Sequence, residues 1–296
     1  MDEATGRLAR GRSKTESLNK VGHGLHIADP AFRSYSESDK VALLARALGW
    51  VDPVLPQSMY IFKQPLDGDA VTSHQDSSFL YTEPRLTCLG LWLALEDATL
   101  DNGCIWARPG SHREDLRRHF CRKAVADRMA GAGEETAEED KDTMIFRNLL
   151  SPEWGGDGSA SLAPWEGGMP GGDGGGEAGG RGGGEGGGEG GGEGGGKRGG
   201  EGEGKGDGDG EAALEAAGFV AYPCKAGDLV LIHGSVDHLS MQNTSPKSRH
   251  TFQLHLVEGP SQGVEWSRGN WLQTPGRPFP KLEVSFAGHK LCRGEP

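Results

Sequence analysis

Apolar residues in this chain fall into short runs and two-residue alternations, the pattern of strands that show water one face or none. Residues 250–258 are the clearest case. Thr251, Gln253 and His255 alternate with Phe252, Leu254 and Leu256, so the two sets point to opposite faces of an extended strand. Residues 87–95 are apolar almost throughout and predict a strand covered on both sides. Shorter strand candidates lie at 58–63, 104–107, 219–223 and 228–232, with turn-forming stretches at 64–70, 101–103 and 226–227 between them. Helical spacing stands out at 40–48. Val41, Leu44, Ala45 and Leu48 make one stripe there, and a Ser or Asp among residues 36–39 supplies a cap. Residues 114–129 also read as helical, and 19–26 are open between a short strand and a turn. Many short strands without a strand–helix rhythm predict a mainly β fold, a barrel or jelly roll.

Composition changes that picture in one place. Most of the 51 glycines sit between positions 155 and 210, where Gly-Gly-Gly-Glu units recur. Glycine has no side chain to bury and loses more backbone entropy on ordering than any other residue. No apolar position recurs with the repeat, so residues 155–211 are read as a disordered insertion in a surface loop. A fold tolerates such a loop because closure entropy grows only slowly with length. The insertion divides one domain into residues 19–154, which include an acidic loop at 131–142, and residues 212–285. Residues 1–18 form a polar, disordered leader and 286–296 a tail. The roughly 230 residues outside the insertion suit one core of ordinary size. Net charge follows the same division. Of the formal −12, the insertion's twelve Asp/Glu against four Lys/Arg account for −8, leaving −4 elsewhere.

Several classes of function are excluded on this basis. No basic stripe or aromatic-plus-basic pattern points to nucleic acid. No apolar run approaches the ~20 residues of a membrane span, and the N-terminus lacks the apolar stretch of a secretory signal. Cys88, Cys104, Cys121, Cys224 and Cys292 are an odd number with no Cys-x-x-Cys pair, as expected of reduced thiols in an intracellular, cytoplasmic protein. The expected partner is a small-molecule substrate, and a monomer is favoured.

Candidate chemistry centres on His74-Gln75-Asp76. Residues i and i+2 of a strand share a face, so His74 and Asp76 can offer a nitrogen and an oxygen to one metal ion. Two ligands do not hold a metal, and a third must come from elsewhere. His233, His238, His250 and His255 are all candidates, and spacing does not choose among them. Two His and one carboxylate on one side of an iron form the facial triad of non-haem Fe(II) oxygenases. Arg249, taken alone, reads as a surface charge.

Together these residues resemble the phytanoyl-CoA dioxygenase family of Fe(II)/2-oxoglutarate oxygenases. The motifs carrying the resemblance are Gln57-Ser58-Met59-Tyr60-Ile61-Phe62-Lys63-Gln64-Pro65, His74-Gln75-Asp76, Ser78-Phe79-Leu80-Tyr81-Thr82-Glu83-Pro84, Glu96-Asp97-Ala98-Thr99-Leu100-Asp101-Asn102-Gly103-Cys104 and Pro109-Gly110-Ser111-His112. They continue with Leu229-Val230-Leu231-Ile232-His233-Gly234 and Asn270-Trp271-Leu272-Gln273, so the likeness covers most of residues 19–282 outside the acidic and glycine-rich stretch.

The resemblance implies a double-stranded β-helix, a jelly roll with flanking helices. It implies His74, Asp76 and His238 as iron ligands, with 2-oxoglutarate as cosubstrate and O2 as oxidant. It places Arg249 on the distal carboxylate of the cosubstrate, Ser240 beside it, and Met59, Trp92 and Lys20 in the same pocket. The implied reaction hydroxylates a small, lipid-like or acyl substrate and releases succinate and CO2. Retention of Asp76 points to hydroxylation; a related halogenase lacks that carboxylate and binds chloride in its place. A second reading is a non-catalytic metal- or ligand-binding relative, inactive because few residues precede position 19. A third is a cupin-type iron enzyme that does not use 2-oxoglutarate.

Overall fold

The computed structural model describes residues 17–125, 143–150, 208–274 and 276–283. The acidic loop at 131–142, the tail, nearly all of the leader and the insertion up to residue 207 lie outside the described residues. In chain order the strands are β1 (Lys20–His23), β2 (Pro53–Lys63), β3 (Val71–His74), β4 (Thr82–Glu83), β5 (Leu89–Ala94), β6 (Ile105–Ala107), β7 (Arg118–Arg122), β8 (Met144–Asn148), β9 (Val220–Tyr222), β10 (Leu229–His233), β11 (His238–Ser240), β12 (Arg249–Glu258) and β13 (Glu265–Trp266). Helices α1 (Leu25–Ala28), α2 (Pro30–Ser36) and α3 (Asp39–Ala47) fall between β1 and β2. The fold is mainly β, as the strand pattern predicts.

Two antiparallel sheets dominate. The larger has the order β1-β2-β12-β5-β10 and the smaller β3-β11-β6-β9. β12 shows how the sequence builds them. Its alternation puts Phe252, Leu254 and Leu256 on one face, where they pack with Leu55 and Leu91 beneath Val41, Ala42 and Ala45 of α3. Phe32 of α2 stacks on Phe252 with ring centroids 4.7 Å apart. Asp29 caps α2 by accepting from Ala31 N at 2.9 Å, and Pro30 takes its first position. Each fully buried aliphatic side chain here contributes about 1.5–3 kcal/mol. The opposite face of β12 carries Arg249, Thr251, Gln253 and His255, all but Gln253 buried. A second apolar cluster joins Trp92, Ala94 and Ile232 of the larger sheet to Ile105, Trp106 and Leu239 of the smaller, so the two sheets pack on one another.

Some expectations change. The stripe on α3 shifts: Ala42 is buried and Leu48 is 44% exposed, because the helix ends at Ala47 and Gly49 turns the chain away at φ +99. Of residues 114–129, read as helical, 118–122 form β7 and pair with β8, 123–125 are helical, and 126–129 lie outside the described residues. The local signal is a period of two, with His119 and Cys121 buried between half-buried neighbours. β2 begins at Pro53, earlier than its β-prone core suggests. A register shift between His255 and Val257 lets the Pro-containing end pair with β12. Residues 208–211, read as the end of the disordered insertion, instead open the helix Gly208–Ala216, in which Leu214 is fully buried.

Candidate metal centre

β3 and β11 pair so that His74 stands directly opposite His238. Their ring centroids are 4.2 Å apart. Asp76 follows in the turn Asp76–Ser78, just after β3 ends. Each ring is held by a carbonyl two residues back in its own segment: His74 Nδ1 lies 2.8 Å from Thr72 O and His238 Nδ1 3.0 Å from Val236 O. A carbonyl only accepts, so both rings donate from Nδ1, and each neutral ring keeps its lone pair on Nε2. Those two Nε2 atoms face Asp76 Oδ1 at 3.6 and 3.7 Å. Both distances are longer than a settled hydrogen bond.

Lone pairs converging on an anionic oxygen repel unless a cation sits among them. The donor set therefore fits a divalent metal: two imidazoles and a carboxylate with ligand atoms within 4.8 Å of one another. Protonation agrees. Burial, helped by repulsion from His74, pushes His238 down to about 4. Burial opposes ionisation of Asp76, but His238, His255 and His74 outweigh it and hold the carboxyl well below its usual range. Burial also works against a charge on His74, yet Asp76 raises its pKa.

The neighbours of the three residues are tied together. Asp237 is 2% exposed and accepts from Ser73 Oγ at 2.5 Å and Arg117 Nη1 at 2.8 Å. Gln75 donates to Ser235 O at 3.0 Å and accepts from Arg117 N at 3.1 Å. Thus the residues before His74 and before His238 share one buried ion pair. Removing one partner of such a pair leaves a charge stranded. Asp237→Ala is expected to cost about 3–5 kcal/mol in urea unfolding, and an unchanged midpoint would deny the pair its role.

Arg249 lies in the same interior, at the start of β12. It is 2% exposed, sits over the Trp92 ring at 5.4 Å, and donates from Nη1 to Thr251 Oγ1 at 3.3 Å. Its Nε has no partner, and no carboxylate pairs with it among the described residues. Burial lowers its pKa to about 10, so it remains a cation at neutral pH. A buried guanidinium without a counter-ion is costly unless an anion arrives. Its cross-strand partner is Lys63, also 2% exposed. Lys63 Nζ donates to Asp69 O at 2.8 Å and to Met241 O.

The remaining expected residues map onto the same face. Met59 and Trp92 flank Gln253 across β12, and Lys20 stands exposed on β1, opposite Ile61. Ser240 is buried on β11, two residues beyond His238. Of the four histidines left open as a third ligand, only His238 joins the cluster. His250 alternates to the outer face, against Tyr60 and Phe62. His233 lies exposed near His112. His255, the fourth of them, reaches Asp76 from the other side, with Nε2 at 3.5 Å from Oδ2. Lys63 is an interior residue that sequence reasoning missed as a site neighbour. The signal for His255 was its place in the alternation beside Thr251 and Gln253.

A family model described as Phytanoyl-CoA dioxygenase (PhyH) matches residues 2–151 and 195–251. Phytanoyl-CoA dioxygenase domain-containing protein 1 of Mus musculus is 38% identical over 268 residues, covering 90% of this chain and 66% of that protein. Phytanoyl-CoA dioxygenase of Arabidopsis thaliana is 36% identical over 267 residues, again 90% and 66%. The chain thus spans just under two thirds of the length of these relatives. Among solved structures, the non-heme alpha ketoglutarate dependent epimerase SnoN superposes with a TM-score of 0.48 at 16% identity, over 89% of this chain and 77% of that one.

Proposed function

The chain belongs to the phytanoyl-CoA dioxygenase family, and on that footing we propose that it is an Fe(II)- and 2-oxoglutarate-dependent dioxygenase. It hydroxylates a small, lipid-like or acyl substrate and releases succinate and CO2. The observation that carries this reading is the meeting of His74, Asp76 and His238 with their lone pairs turned inward. The strand orders β2-β12-β5-β10 and β3-β11-β6-β9, in which successive strands pass between the sheets, support a double-stranded β-helix around that point.

His74 and His238 would hold the iron through Nε2 and Asp76 through Oδ1. Bound iron supplies the chemistry that couples decarboxylation of 2-oxoglutarate to oxidation of a C–H bond. The chain does the rest. The carbonyls of Thr72 and Val236 keep both rings in the tautomer that ligates. Arg249 anchors the distal carboxylate of 2-oxoglutarate, with its planar fork already fixed by burial. Ser240 adds a hydrogen bond, and Met59, Trp92 and Lys20 line the 2-oxoglutarate pocket. The two sheets exclude water, which strengthens each of these contacts. Among the described residues no helix is long and apolar enough to cross a membrane. The direct test is succinate release from 2-oxoglutarate by the full chain with Fe(II), ascorbate and O2. Metal binding without 2-oxoglutarate consumption would favour the non-catalytic alternative, and turnover independent of 2-oxoglutarate would favour the cupin-type one.

A further inference from the structure

Asp76 has two oxygens, and the three ligand candidates account for only one. Oδ1 faces His74 and His238 at 3.6 and 3.7 Å, while Oδ2 points the other way, to His255 Nε2 at 3.5 Å. His255 is 4% exposed and comes from the larger sheet, whereas His74 and His238 come from the smaller. Its Nδ1 is buried and has no partner, so no acceptor on that side draws the proton. The proton therefore belongs on Nε2, where an anionic oxygen faces it. Gly90, the cross-strand neighbour of His255 on β5, makes the approach possible. A Cβ at Gly90 would come within 3.0 Å of Asp76 Oδ2 and 3.6 Å of His255 Nε2.

We infer that His255 is a positioning residue for Asp76: its Nε2–H faces Oδ2 at 3.5 Å and closes on it in the loaded site, so that Asp76 offers a metal Oδ1 alone. A carboxylate held in this way takes one coordination position rather than two. That leaves room beside the two histidines for a chelating cosubstrate and an oxidant. Partners behind a ligand commonly set both its orientation and the affinity of the site. The inference rests on the metal-site reading above and assigns His255 no contact with the metal.

The test uses Co(II) as the probe with the full chain, followed by calorimetry and by its visible absorption bands. His255→Phe keeps the ring but loses the donor. His255→Asn keeps an amide but places it where Nδ1 lies, out of reach of Asp76. His255→Gln places an amide N–H near the position of Nε2. The Phe and Asn variants are expected to bind Co(II) about 10–100-fold more weakly, with shifted bands as Oδ2 joins the metal. Gln should recover most of the affinity and the wild-type bands. The Asn–Gln pair decides the matter if the Phe variant does not fold. Wild-type affinity and bands in the Asn variant would overturn the inference, as would a Gln variant no better than Asn. A wild-type chain that binds no Co(II) would instead remove the metal site itself, and this inference with it.

Discussion

Asp76→Ala is expected to abolish succinate release and to weaken Co(II) or Fe(II) binding by at least about 100-fold, the usual scale for losing a ligand or its support. The physical reason is the charge it carries. Two neutral imidazoles alone neither balance a divalent ion nor fix its open side. Asp76 is the group that turns a pair of rings, 4.2 Å apart, into a three-sided site. His74→Ala should have the same outcome, because His238 and Asp76 then approach from two directions only. In the metal-free protein Asp76→Ala should be far less harmful than Asp237→Ala. Asp76 has only longer contacts, His255 Nε2 at 3.5 Å being the shortest, whereas Asp237 is paired with Arg117 at 2.8 Å. Calorimetry with Co(II), run beside a turnover assay, reads both sides of the prediction. Wild-type turnover in either variant would sink the ligand assignment.

Arg249 gives the second large effect, with two signs. Truncating a buried charge partner costs about 2–5 kcal/mol, so Arg249→Ala should raise the 2-oxoglutarate requirement roughly 30- to 5,000-fold. Co(II) affinity should not move, because Arg249 touches none of the three ligands. Stability should change in the other direction for a better-filling substitution. Without an anion, the guanidinium lies 2% exposed with Nε unpartnered, and Lys63 beside it is held well below its usual pKa by burial and by Arg249. Replacing an unpaired buried cation by an apolar group of similar length relieves both costs. Arg249→Met is therefore expected to raise the melting temperature of the ligand-free protein while losing the cosubstrate. Addition of 2-oxoglutarate should raise the melting temperature of the wild type and leave that of the Met variant unchanged. Equal 2-oxoglutarate requirements in wild type and Arg249→Ala would assign the buried cation some other anion.

Much of this was open to inspection in the chain. The alternation at 250–258 separated His255, Gln253 and Thr251 from Phe252, Leu254 and Leu256, and the sheet keeps that division. The apolar run at 87–95 became β5, a strand with neighbours on both edges. β7 was missed because its five residues mix Arg, His, Phe and Cys, and its partner β8 lies across residues 126–142. Leu48 was placed on the buried stripe because periodicity does not say where a helix stops; the turn at Gly49 does. The motif His74-Gln75-Asp76 was legible as a pair of possible ligands. Even there the same-face argument for a strand was only partly apt, since Asp76 sits in a 3-10 turn beyond β3.

By itself, then, the sequence determined most of the strand segments, the apolar face of the clearest of them, and which few residues can do chemistry. These depend on side-chain type and on a repeat of two or four residues, both local properties. The tertiary structure decided which faces meet. Four histidines were equal candidates by spacing. Only the pairing of β11 with β3 set His238 across from His74, and only the packing of the larger sheet on the smaller brought His255 behind Asp76. Such choices are made by contacts between residues 160 or more positions apart, whose energies depend on burial and hydrogen bonding that no local pattern contains.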